Sequence, residues 1–150
     1  MKPKLPVDLT IRIPSDNQYL SLVMDASQNL AQTMGFDATK TRKIRSAVAE
    51  ACSNAIEHGN KNDPNKEIFL LFRVDESRLE INITDEGDGF DLDEVKAPSI
   101  DNKVKRNDIS KRGWGVFMIK KYVDEVHVGS EKNLGLTMVI YLKDQDNKTK

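Results

Sequence analysis

Three short segments in a fixed order constrain this chain more than anything else in it. Glu50-Ala51-Cys52-Ser53-Asn54 falls on a helical pattern, Asp85-Glu86-Gly87-Asp88-Gly89 follows a strand pattern, and Gly113-Trp114-Gly115 opens a further helix. Each is weak alone. Together they describe a nucleotide site: a carboxylate and an amide on one helical face, an acid beside a glycine turn, and a glycine pair at a helix N-terminus. ATP binding is the leading reading of that combination, and it suggests phosphoryl transfer.

The chemistry of each segment explains why. Glu50 and Asn54 are four apart, so on a helix they stand one turn above the other, and His58 extends the line by a further turn. Their neighbours Val48, Ala49, Ala51, Cys52, Ala55 and Ile56 are apolar or small. Polar groups in such surroundings are costly unless paired or used. Asn54 offers a hard oxygen to Mg²⁺, which completes its shell with water and phosphate. Glu50 can orient or deprotonate an attacking hydroxyl. The bland alternative is a solvated polar flank, with His58 in the last turn favouring the helix dipole.

Asp85 ends an apolar strand, where its carboxylate can accept a hydrogen bond from an exocyclic amine such as that of adenine. A base lacking the amine would leave the acid unpaired, which makes the contact selective. Gly87 and Gly89 let the backbone approach a flat base. A turn of solvated acids is the alternative. Gly113 and Gly115 leave backbone N–H groups free to face an anion, and Lys111 and Arg112 add charge nearby. The alternative there is a hinge closing a loop. The pattern is neither the dinucleotide-binding fingerprint nor a P-loop.

The rest of the chain places these segments. Val7, Leu9, Ile11 and Ile13 alternate as a strand, and Ser15 is a plausible N-cap for a helix carrying Tyr19, Leu20, Leu22, Val23, Ala26, Leu30 and Met34. Gly35 closes that helix, Asp37 or Thr39 caps the next, and Gly59 ends it. Asn60 to Asn65 is turn chemistry. Two strands follow, one through Ile68, Leu70 and Phe72 and one through Leu79, Ile81 and Ile83, joined by Asp75 to Arg78. Residues 91–112 are polar and weakly periodic, as in a lid. Val116, Ile119 and Val123 define a third helix. Strands through Val126 and Val128 and from Thr137 to Leu142 complete the order, and the tail after Lys143 is expected to be disordered. This order predicts one α+β domain over 1–150: a two-layer sandwich with helices on one face of a mixed, mostly antiparallel sheet.

Composition removes other classes. The 23 basic and 24 acidic residues nearly cancel, which gives no bulk charge for nucleic acid or an anionic membrane. No apolar run approaches the roughly 20 residues that span a bilayer, and the N-terminus lacks the apolar core of a secretory signal. A cytoplasmic protein is the simplest account. The single cysteine, Cys52, reads as a small buried apolar residue, and two distant histidines make no zinc cluster.

The three segments, in this order, resemble the boxes of the histidine-kinase-like ATPases, the superfamily of gyrase, Hsp90 and sensor kinases. Glu50 to Asn60 looks like the N box, Asp85 to Gly89 like the first glycine box, and Arg112 to Gly115 like the second. The stretch Glu50 to Gly59, the short lid and Met118 to Val126 are similar to the anti-sigma-factor serine kinases. The resemblance implies ATP and Mg²⁺ as cofactors. It implies Glu50 as general base, Asn54 as Mg²⁺ ligand, and Asp85 as adenine-reading acid with Gly87 and Gly89 shaping its pocket. Gly113 and Gly115 become hinge and phosphate-contacting glycines beside Lys111 and Arg112. Thr137 lies at the end of the site. It further implies two partners, a sigma factor held inactive and a small antagonist phosphorylated on serine or threonine. It also implies a homodimer, which members often form. Lys111 stands where the family often has a further glycine, and Trp114 replaces an aliphatic residue. Those departures leave an alternative: a nucleotide-gated binding switch with little or no kinase activity.

Overall fold

Apolar periodicity sorts the chain into a sheet and a helical layer. The computed structural model describes residues 5–87, 111–129 and 135–143, with residues 111–114 described by their backbone. Strand β1 (Val7–Pro14) leads through a 3₁₀ turn (Asn17–Tyr19) into helix α1 (Leu20–Met34), followed by α2 (Ala38–Asn54). A single π-helical turn (Ala55–Gly59) carries the chain out of α2. Then come β2 (Glu67–Val74), β3 (Arg78–Thr84), α3 (Lys111–Tyr122), β4 (Glu125–Val128) and β5 (Leu136–Tyr141). The lid segment up to residue 110, with Gly89, and the tail after Lys143 lie outside the described residues.

The strands form one sheet in the order β1-β2-β3-β5-β4. All the pairings among them are antiparallel, which corrects the expected mixed sheet. The connection through α3 returns the chain at the far edge, and the β4–β5 pair then lays β5 against β3. Period-two alternation points Ile68, Leu70, Phe72, Leu79, Ile81, Ile83, Leu136, Met138 and Ile140 to one side, where they are buried. The helices cover that side with Val23 and Ala31 of α1, Ile44, Ala47, Val48, Ala51 and Cys52 of α2, and Ile119 of α3. Complete burial pushes the Cys52 thiol up to about 12, because a thiolate there would have no solvation.

Local chemistry sets the boundaries. Gly35 ends α1 in the left-handed region at φ 93°, as its position predicts. Asp37 caps α2, its carboxylate accepting from the Lys40 N–H at 2.7 Å. Ser15 does not cap the first helix: its side chain is buried, and Asp16 caps the 3₁₀ turn by accepting from the Gln18 N–H. The extended backbone at Asp16 decides this, because it aims the Asp16 carboxylate at the free N–H groups.

The β2–β3 connection depends on Asp75. One carboxylate oxygen accepts from the Ser77 N–H, the Ser77 hydroxyl and the Arg78 N–H at 2.7–2.9 Å. The Ser77 N–H, chief among these, holds the Asp75 carboxyl below its ordinary value. Asp75→Ala is expected to lower stability by about 1 kcal/mol at neutral pH, a figure discounted for the exposure of the site. The depressed folded pKa fixes the sign. The stabilisation is complete above the unfolded value and disappears as pH falls through the folded one. Urea denaturation curves of wild type and variant should therefore differ at pH 7 and converge in strong acid.

Candidate nucleotide site

The C-terminal half of α2 and its π-helical exit organise the site. Glu50 is exposed on the penultimate turn of α2, and Asn54, its last residue, is only 6% exposed. The side-chain nitrogen of Asn54 is buried without a hydrogen-bond partner. Such a group is costly unless the site is completed by a ligand. The amide lies against Gly115 in the first half of α3: a Cβ at that glycine would come within 2.5 Å of Asn54 Nδ2 and 2.9 Å of its Oδ1. Gly115 is therefore small because Asn54 occupies the space beside it. Lys111, Arg112 and Gly113 fall in the opening turn of α3, so the helix begins before the glycine pair rather than at it. Its free N–H groups stand at the end of the helix that packs on α2.

Past Asn54 the chain widens. The Asn60 N–H donates to the Ala55 carbonyl at 2.8 Å, an i to i+5 bond. Single π turns of this kind are frequent at functional sites. The wider turn takes His58 off the line of Glu50 and Asn54. The Glu57 carboxylate lies 4.0 Å from its buried Nε2. The turn also brings the Gly59 backbone against the end of β3. A Cβ at Gly59 would stand 2.0 Å from Asp85 Oδ2 and 2.2 Å from its Cγ. A Cβ at Gly87 would stand 2.1 Å from the Gly59 carbonyl oxygen. The Gly87 N–H donates to Asp85 Oδ1 at 2.8 Å. Two main-chain segments thus close around one carboxylate, and alternation after Ile83 and Thr84 turns that carboxylate to the helical side of the sheet.

Glu50, Asn54, Asp85, Gly87 and Gly115 are therefore gathered along one helix. Thr137 is not among them. It sits on the helix-free face of β5, where its hydroxyl accepts from Asn82 Nδ2 at 2.9 Å. There it lines a shallow groove of about 370 Å³ with Arg73, Glu80, Asn82, Thr84 and His127. The inward position beside it is Leu136, 3% exposed. From sequence, Asn60 reads as turn chemistry at the end of the N-box-like stretch, and Gly59 reads as a helix terminator. The signal for both was an amide directly after the glycine that ends a buried helix.

The sequence profile of the histidine kinase-like ATPase domain matches residues 13–140, nearly the whole chain. The chain belongs to this family. Its relatives include the serine-protein kinase RsbW of Bacillus subtilis, 29% identical over 91% of this chain and 87% of that one. RsbW of Bacillus licheniformis is 30% identical over 89% and 85%, and RsbW of Halalkalibacterium halodurans is 28% identical over 99% and 93%. Among solved structures, the RsbU and RsbW domains of Rv1364c from Mycobacterium tuberculosis superpose with a TM-score of 0.57 at 17% identity, which speaks for the fold. That match covers 90% of this chain and 32% of the longer one. No helix among the described residues of this ATPase domain is long and apolar enough to cross a membrane.

Proposed function

We propose that this chain is a cytoplasmic ATP-binding anti-sigma factor and protein serine/threonine kinase, which phosphorylates a small antagonist protein in a partner-switching system. One observation carries the reading: the buried amide of Asn54, its nitrogen without a partner, lies one helical turn from the exposed carboxylate of Glu50, on the helix whose exit holds Asp85. The full-length similarity to serine-protein kinases named RsbW gives that geometry its reaction class.

The parts divide the work. Asp85 accepts from the adenine amine, with Gly59 and Gly87 leaving room for its carboxylate between their backbones. The first turn of α3 faces the phosphates with its N–H groups, favoured by the helix dipole. Asn54 fits a divalent ion, since its amide is buried, its nitrogen lacks a hydrogen-bond partner, and its oxygen is a hard donor. Mg²⁺ bound there would draw charge from the phosphate oxygens. Glu50 is in solvent, where a protein can deliver a serine or threonine hydroxyl, and it accepts that proton as the oxygen attacks. An acceptor too large to enter a closed pocket calls for such an exposed base.

Calorimetry with and without Mg²⁺ tests the assignment. Wild type should bind ATP more tightly with the ion, and Asn54→Ala should lose at least about tenfold in affinity and with it the dependence on Mg²⁺. Transfer of labelled γ-phosphate to an antagonist protein then separates a kinase from a binding switch. Mg²⁺-independent binding unaffected by the substitution would sink the role of Asn54.

A further inference from the structure

Asn60 is completely buried, yet it lies just past the helix in what reads from sequence as a solvent-facing turn. Its side chain is fully engaged. Oδ1 accepts from the Glu86 N–H at 2.8 Å, and Nδ2 donates to the Glu67 carbonyl at 3.0 Å. Glu86 closes the ring, its Oε2 accepting from the Glu67 N–H at 2.7 Å. Three residues from the α2 exit, the start of β2 and the end of β3 are thus joined in a cycle of hydrogen bonds. Asn60 follows Gly59, and Glu86 lies between Asp85 and Gly87. The cycle therefore fixes the two backbones whose contact shapes the pocket, where a single added methyl group would collide.

We infer that Asn60 is the positioning residue of the base pocket: it fastens the Asp85–Gly87 turn to the exit of α2, so that the Asp85 carboxylate is held where it selects a 6-amino purine. This rests on the nucleotide reading above. Asn60 does not touch the base. It acts through Glu86, because the amide it accepts from belongs to the residue after Asp85. An amide suits the task, since it donates to a carbonyl and accepts from an N–H at the same time. Serine is too short to reach both.

The test compares ATP with inosine triphosphate, which differs by an oxygen in place of the 6-amino group. Affinities are measured for wild type, Asn60→Ser and Glu86→Ala, with thermal unfolding followed in parallel. Glu86 is exposed, so its substitution loosens the ring without opening the core. Wild type should prefer ATP. Asn60→Ser should bind ATP about tenfold more weakly and lose most of the preference, and Glu86→Ala should move about threefold in the same direction. Folded variants that lose stability but keep the wild-type ratio of the two affinities overturn the inference and leave Asn60 a merely structural residue. If Asn60→Ser does not fold, the ratio in Glu86→Ala decides alone. Wild type that binds neither nucleotide, or binds both equally, overturns the nucleotide reading along with it.

Discussion

Glu50→Gln is expected to slow phosphoryl transfer to the antagonist protein by about 10³-fold while leaving ATP affinity within about twofold of wild type. The separation follows from where the residue sits. Glu50 is exposed on α2, one turn before the buried Asn54, and makes none of the contacts that close the base pocket. Glutamine keeps its length and polarity and removes only the capacity to take a proton. A general base contributes in the transition state and hardly at all to ground-state binding, so kcat falls and KM for ATP stays. Single-turnover transfer beside calorimetric ATP binding measures both halves. Undiminished transfer in this variant would move the base elsewhere. A loss of ATP affinity as large as the loss of rate would make Glu50 a binding group instead.

Gly59→Ala should act at the earlier step, on nucleotide binding itself. Its methyl carbon would stand 2.0 Å from Asp85 Oδ2, well inside contact distance. The backbone cannot retreat easily, since Asn60 next to it is tied to both Glu67 and Glu86. Asp85 must yield, and its carboxylate leaves the position in which it reads the base. ATP affinity is expected to fall by at least about 100-fold, with about 1–3 kcal/mol of stability lost to overpacking. Gly35→Ala makes the comparison: a Cβ there meets nothing within 4 Å and suffers only from the positive φ, so stability falls and affinity does not. Titration of both variants with ATP, beside their denaturation curves, distinguishes a pocket filled by a methyl group from a backbone strained by one. Wild-type affinity in folded Gly59→Ala would remove Asp85 from the base site.

Much of this architecture is legible in residue order. The stripe Ile44, Ala47, Val48, Ala51 and Cys52 marks the buried face of α2, Gly35 marks the end of α1, and β3 alternates cleanly after the Asp75 turn. The residues gathered at the site, Glu50, Asn54, Asp85, Gly87 and Gly115, sit in the three segments that dominate the sequence. What escaped reading depends on partners distant in the chain. Asn60 resembles a turn asparagine because its partners lie 7 and 26 residues away. The π turn leaves no mark on a helical apolar pattern. For Thr137 the face of the sheet was illegible for a different reason. This residue opens the run Thr137-Met138-Val139-Ile140, apolar on both faces, so alternation does not reveal which side meets the helices. The wholly antiparallel sheet was equally hidden, since strand order is set by where α3 returns the chain.

The buried thiol of Cys52 lies between Glu50 and Asn54 on the helix that carries the site, and burial keeps it from ionising. A reagent that alkylates cysteine can reach it only when α2 leaves the sheet. The chain therefore carries a built-in chemical clock for the opening of its own active helix, with no label to introduce and no competing cysteine to subtract.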